Sequence, residues 1–197
     1  MRAVLKLGGS LARSTSLVHW LWAAARSGRG RVVIVPGGGP FADTVRAMQR
    51  RLRFSDAVAH RMAILAMEQS GLALADRVPG LVACETMAAI ERALASGQVP
   101  VWRPLRMIDG AADIRPGWRV TSDSLAAWLA PRIGAGRVIL VKSCAIGSDD
   151  VRDLARRRIV DAALPTYIAR AGVPLAVLNK RAWRSLPPLL GRGGPAR

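Results

Sequence analysis

Ala3-Val4-Leu5-Lys6-Leu7-Gly8-Gly9-Ser10 is the stretch from which the fold of this 197-residue chain is read. Val4, Leu5 and Leu7 suit a buried strand, and Gly8 and Gly9 let the backbone turn and approach a ligand with no Cβ in the way. Successive N–H groups at such a turn form a concavity for an anion, to which Lys6 adds a full positive charge. Ser10 and further polar residues precede a segment with helical periodicity at Leu17, Trp20, Leu21 and Ala24. A helix is therefore expected to follow the turn and to add its N-terminal dipole to the site. Taken alone, the glycine pair is as compatible with an ordinary strand-to-helix turn as with a phosphate site.

A second stretch repeats the pattern. Arg31-Val32-Val33-Ile34-Val35 reads as a buried strand that ends in Pro36-Gly37-Gly38-Gly39-Pro40-Phe41, a flexible loop with proline placed to open a helix. Two glycine-rich loops at the ends of consecutive strands fall on one edge of a parallel sheet, where ligands bind in such folds.

Outward from these loops, the helix after the second one carries Phe41, Val45 and Met48 on one side and Arg46, Arg50 and Arg51 on a side expected to be solvated. Ser55 and Asp56 offer a cap for a long helix running to about Val78, with His60, Ile64, Met67 and Gly71 on one stripe. His60 then faces inward or into a cleft, as a hydrogen-bonded core residue or a substrate contact. Leu81-Val82-Ala83 and Val99 to Trp102 read as strands around a helix from about Glu85 to Ala95, and Leu105 to Gly117 is turn-rich. Trp118 to Ser124 leads into a helix with Leu125, Trp128 and Leu129 inward; Thr121 suits its N-cap, and Asp123 in the first turn also fits a helix-dipole partner. Arg137 to Val141 is a strand ending in Lys142-Ser143, and Val173 to Leu178 is another, after a helix from about Pro165 to Ala171. Pro188 to Arg197, rich in Gly and Pro, reads as a loose tail. The alternation predicts an α/β protein, a three-layer αβα sandwich on a mostly parallel sheet. It is read as one compact domain with an acceptor-binding lobe over 1–133 and a shortened nucleotide-binding lobe over 134–197.

Composition narrows the function classes. Hydrophobic content of 51% argues for a globular chain, and no apolar run approaches the roughly twenty residues of a membrane span. The chain enters a core strand at once, leaving no room for a signal peptide, and Cys84 and Cys144 are isolated and lack metal-ligand spacing. A cytoplasmic protein with free thiols, no metal centre of its own and no membrane contact is expected. The formal net charge is +17, but the arginines are spread over the whole chain and lysine occurs only as Lys6, Lys142 and Lys180. With no aromatic-rich platform for single strands, a small anionic partner is favoured over nucleic acid.

Lys6 to Ser10, Pro36 to Gly39, Thr121-Ser122-Asp123-Ser124 and the strand Val138 to Val141 together resemble the amino acid kinase family, which includes aspartate, acetylglutamate, uridylate and isopentenyl phosphate kinases. Val35 to Val45, Ala59 to Met67 and Trp118 to Ala127 resemble the branch that phosphorylates a furan-methyl phosphate in methanofuran cofactor biosynthesis. The resemblance implies Mg-ATP as phosphoryl donor, a phosphate-monoester acceptor converted to a diphosphate, and a homo-oligomer. It also assigns Lys6 and Gly8, Gly9 and Ser10 to the ATP phosphates, Gly37, Gly38 and Gly39 to the acceptor, His60 to the acceptor phosphate, and Asp123 to orienting the lysine. Where many members carry a Thr-Asp pair, this chain has Lys142 and Ser143, followed by Cys144-Ala145-Ile146-Gly147, and a second, later lysine has no clear counterpart. Lys142 and Ser143 are therefore expected at the nucleotide, with Lys142 as a catalytic cation that meets the ATP phosphates or takes over the missing second lysine's task of stabilising transferred charge, and a solvated strand-end lysine as the alternative. The altered half also keeps open a degenerate homologue that binds a ligand, or serves as a subunit, without turnover.

Overall fold

The computed structural model describes residues 1–191. The chain runs β1 (Arg2–Leu7), α1 (Ser16–Ser27), β2 (Val32–Pro36), α2 (Gly39–Leu52), α3 (Asp56–Asp76), β3 (Leu81–Cys84), α4 (Met87–Ala95) and β4 (Val99–Trp102). It continues with α5 (Leu105–Ile108), α6 (Ser122–Arg132), β5 (Ala135–Lys142), α7 (Val151–Arg156), α8 (Leu164–Ala171), β6 (Leu175–Asn179) and α9 (Leu186–Leu189). The six strands form one all-parallel sheet in the order β3-β4-β2-β1-β5-β6.

Alternation along β1 explains the layers. Ala3, Leu5 and Leu7 pack into one core with Trp20 and Leu21 of α1 and with Leu186 and Leu190. Val4 packs into the opposite core with α4, α6 and α8, so Lys6, two residues on, lies on that same face. From β1 to β2 the chain moves one way across the sheet; from β3 to β4 and from β5 to β6 it moves the other way. Right-handed crossovers then put α1 on one face and α4 and α8 on the other, as observed. The chain leaves β1 and β5, which are neighbours, toward opposite faces. This divergence opens a crevice beyond their carboxyl ends, at the switch point of the topology.

Two expectations need correction, and one helix was not foreseen. The first glycine turn is followed by a 3-10 turn, Gly9–Arg13, and α1 starts only at Ser16, so no α-helical dipole is aimed at Lys6 from there. A 3-10 turn of five residues satisfies the local backbone first, with Leu11 N–H bonding to the Gly8 carbonyl at 2.9 Å. Residues Pro188 and Leu189, read as part of a loose tail, belong to α9, held down by buried Leu186 and Leu190; the rest of that reading, 192–197, lies outside the described residues. Helix α7, in a stretch without marked periodicity, was not expected; Asp150 caps it by accepting from Arg152 N–H.

Candidate active site

Lys6, near the carboxyl end of β1, is 4% exposed, and a buried ammonium needs a partner. The partner is Asp123, second residue of α6 and 2% exposed: Lys6 Nζ lies 2.8 Å from its Oδ1, and Lys142 Nζ donates to its Oδ2 at 2.5 Å. Register makes this possible. Lys6 pairs with Leu140 across the β1–β5 ladder, and Lys142 stands two residues further along, on the same face. Burial alone would raise the Asp123 carboxyl, but the two ammonium groups together outweigh it and hold it at about 2. Lys142 titrates below its ordinary value, through burial and the neighbouring Lys6 charge, against the opposing pull of Asp123. Lys142 is thus no solvated strand-end lysine.

Asp161, which the sequence reading passed over, holds the carboxylate side of this site. Its backbone N–H donates to Asp123 Oδ2 at 3.1 Å. Its own carboxylate accepts from the backbone N–H groups of Thr121 and Ser124 at 2.9 Å each, from both their hydroxyls, and from Leu164 N–H at 2.9 Å. It therefore caps α6 and α8 at once. Thr121 occupies the N-cap position as expected, but its hydroxyl donates to Asp161 instead of accepting from the helix. Burial first, then the Asp123 charge, raises the Asp161 carboxyl. Asp161 shortly before Leu164-Pro165 is a signal for a cap on α8; its reach to α6 could not be read from spacing.

The two glycine loops meet backbone to backbone. A Cβ on Gly9 would stand 2.3 Å from the Gly39 nitrogen, and one on Gly37 2.3 Å from the Gly9 nitrogen. The N–H groups of Gly8 and Gly37 extend the sheet by bonding to the carbonyls of Val141 and Leu7. Backbone donors at the start of α2, from Gly38 and Gly39, have no intrahelical partner, and no side chain caps this helix start. Ser10 and Ser143 hydroxyls meet at 2.8 Å, joining the first glycine loop to the end of β5.

One cleft of about 1010 Å³ unites every residue singled out from the sequence: Lys6, Gly8, Gly9, Ser10, Gly37, Gly38, Gly39, His60, Asp123, Lys142 and Ser143. Arg46, Arg119, Arg157 and Arg158 line it too. Arg46 is exposed, as its place on the solvated side of α2 predicts, and its guanidinium also lies over the Trp118 ring, 4.5 Å from the centroid, while it pairs with Asp43. His60 Nδ1 donates to the Gly117 carbonyl at 3.2 Å, and Nε2 is buried without a partner among the described residues. Burial lowers its titration, with the Gly117 bond opposing. Among the described residues there is no cluster of metal-ligating side chains and no helix long and apolar enough to cross a membrane. Both cysteines are free thiols.

Comparison with known proteins comes out consistently. The model of the amino acid kinase family matches residues 1–145. The [5-(aminomethyl)furan-3-yl]methyl phosphate kinase of Methanocaldococcus jannaschii is 28% identical over 138 residues, 70% of this chain and 63% of that protein, so the match spans under two thirds of the relative's length. Uridylate kinase from Archaeoglobus fulgidus superposes with a TM-score of 0.67 at 20% identity, over 93% of this chain and 96% of that one. UMP kinase from Ureaplasma parvum gives 0.66 at 17%, over 91% and 89%. Likeness at these identities establishes a shared fold.

Proposed function

The chain belongs to the amino acid kinase family, and from that premise we propose that it transfers the terminal phosphoryl group of ATP to a phosphate-monoester acceptor, making a diphosphate in a methanofuran-type pathway. The observation that carries this reading is the charge count at Asp123. Two buried ammonium groups share one carboxylate, so the three together carry a net positive charge on the wall of the cleft, and an anion is the partner that completes it.

In the transfer, an oxygen of the acceptor phosphate attacks the terminal phosphorus of ATP as the bond to the ADP oxygen breaks, and no proton need move if the acceptor is a dianion. Both reactants are anions, so the chain's task is to bring them together and hold charge on the equatorial oxygens. Lys6 and Lys142, fixed by Asp123, do this from the β1–β5 side, with Ser10 and Ser143 beside them. The first N–H groups of α2 receive the acceptor phosphate. In this reading 1–133 supplies the acceptor side and 134–197 the nucleotide side. The carboxylates lining the cleft are engaged, Asp123 by lysines, Asp161 by two helix ends and Asp43 by Arg46. The chain therefore fits Mg²⁺ poorly as a ligand set, and a metal would arrive on the nucleotide's own phosphates.

The test is incubation with ATP and [5-(aminomethyl)furan-3-yl]methyl phosphate, followed by ³¹P NMR. Coupled diphosphate resonances and equimolar ADP are expected, and absent from Lys6→Ala. Binding of the monoester with no ADP formed would instead favour a ligand-binding homologue without turnover.

A further inference from the structure

Helix α7 closes on a strained residue. Arg158 N–H donates to the Ala155 carbonyl at 3.0 Å, and Ile159 N–H reaches back to the Leu154 carbonyl at 2.9 Å. This pair of bonds requires the left-handed region at residue 158, a place that glycine fills without steric cost. Arg158 takes it with φ 56°. Where α8 ends the chain does use glycine, Gly172, at φ 64°. A long side chain held in this region against its own preference calls for a use of that side chain.

Arg158 lines the main cleft. Six Lys and Arg residues line it against three carboxylates, and the pairing is uneven. Asp123 takes Lys6 and Lys142, Asp43 takes Arg46, and the Asp161 carboxylate is occupied by two helix starts. Arg157 pairs with Asp153 at 3.4 Å and donates to the Ile146 carbonyl at 3.2 Å. Arg119 and Arg158 are left without an ion-pair partner among the described residues. Both flank one segment: Ala163 N–H donates to the Arg119 carbonyl at 3.0 Å, and Asp161, three residues after Arg158, bonds through its N–H to the carboxylate that holds Lys142. Arg158 therefore belongs with Lys142 and Ser143.

We propose that Arg158 and Arg119 grip the phosphate tail of the donor, and that the donor is selected by this tail more than by its base. The inference rests on the kinase reading of the cleft. A guanidinium presents a planar fork that binds two phosphate oxygens at once, and beside Lys142 two such forks match the charge spread along a triphosphate. The other strong side-chain donors that residues 134–191 bring to the cleft are Lys142, Ser143 and Arg157, which are again groups that bind phosphate.

The test is calorimetric binding without acceptor, so that it does not depend on turnover, with ATP, GTP and inorganic triphosphate as probes. GTP and inorganic triphosphate are expected to bind within about tenfold of ATP, since the contacts they share with it carry the affinity. Arg158→Gly relaxes the strained cap, so its melting temperature should be no lower than that of wild type. Its affinity for inorganic triphosphate should nevertheless fall at least about tenfold, the loss of one charge-assisted bidentate contact. Arg158→Asn, another residue tolerated in the left-handed region, should weaken triphosphate to the same extent. Arg53→Gly is the control: Arg53 closes α2 with the same φ of 56° but lies outside the cleft, so the change removes an equal charge and relaxes an equal strain. It should leave triphosphate binding unchanged. Wild-type triphosphate affinity in both Arg158 variants, an equal loss in Arg53→Gly, or inorganic triphosphate more than about tenfold weaker than ATP in wild type overturns the proposal. Triphosphate binding as expected, with no ADP formed when ATP and the monoester are supplied together, would overturn the kinase reading while the assignment of Arg158 to a triphosphate stands.

Discussion

Lys6, Asp123 and Lys142 form a group whose net charge is +1, at the carboxyl end of adjacent strands. Removing the carboxylate charge leaves two ammonium groups facing each other, so Asp123→Asn should lower turnover at least about a hundredfold. It should also cost roughly 3 kcal/mol of stability, as breaking a buried ion pair does, read as a fall in melting temperature. Sulfate should restore part of that stability but none of the turnover; an equally active Asn variant would return Asp123 to a helix-dipole role. Lys142→Ala should lower turnover about a hundredfold, and Lys142→Arg should not fully restore it, because a planar fork does not fit where a compact ammonium sits 2.5 Å from Oδ2. Unchanged kinetics in the alanine variant would remove Lys142 from the mechanism. Asp123 titrates at about 2 when folded, below its ordinary 3.8. Its contribution to stability is present above pH 3.8 and is lost as pH falls toward 2. A pH series of melting temperatures should show this loss in wild type and a shallower one in Asp123→Asn.

At the scale of elements, the site depends on contacts between segments distant in sequence. The glycine loops after β1 and β2 touch through bare backbone, so Gly9→Ala must push the loops apart, since the 2.3 Å approach to Gly39 is to main chain that cannot rotate away. Loss of both stability and anion binding is expected. A Gly9→Ala variant with wild-type melting temperature would show that the loops separate freely. Asp161 ties the start of α6 to the start of α8. Asp161→Asn should cost about 1–2 kcal/mol, because an amide cannot accept at both oxygens and one cap must be lost. Because the Asp123 carboxylate accepts from the Asp161 backbone N–H, the variant should also reduce kcat more than it changes binding of the acceptor. The opposite pattern would limit Asp161 to capping.

At the scale of the whole molecule, one cleft combines Lys6, Lys142, four arginines and the start of α2, and a phosphate or sulfate should settle among Lys6, Gly9 and Gly38. Ten millimolar sulfate should raise the melting temperature of wild type and leave Lys6→Ala unmoved; equal shifts in both would mean that sulfate acts elsewhere on a chain of net charge +17.

Local pattern was enough for the sheet and for the location of the site. Apolar runs that break into glycine at Gly8 and Gly37 mark buried strands with open ends, and chirality of the crossovers then puts those ends on one edge. The resemblance already assigned Asp123 to orienting Lys6; what the tertiary structure alone decided is that Lys142 shares that carboxylate and that Asp161 caps the helix that carries it. Lys142 is 19 residues from Asp123, Asp161 is 37 from Ser124, and neither contact leaves a trace in periodicity, because a tertiary contact has no preferred sequence separation. The same holds for the loops. Glycine is demanded equally by a ligand and by a neighbouring backbone, and only the 2.3 Å that would separate a Cβ on Gly9 from the Gly39 nitrogen shows that packing requires it here as well.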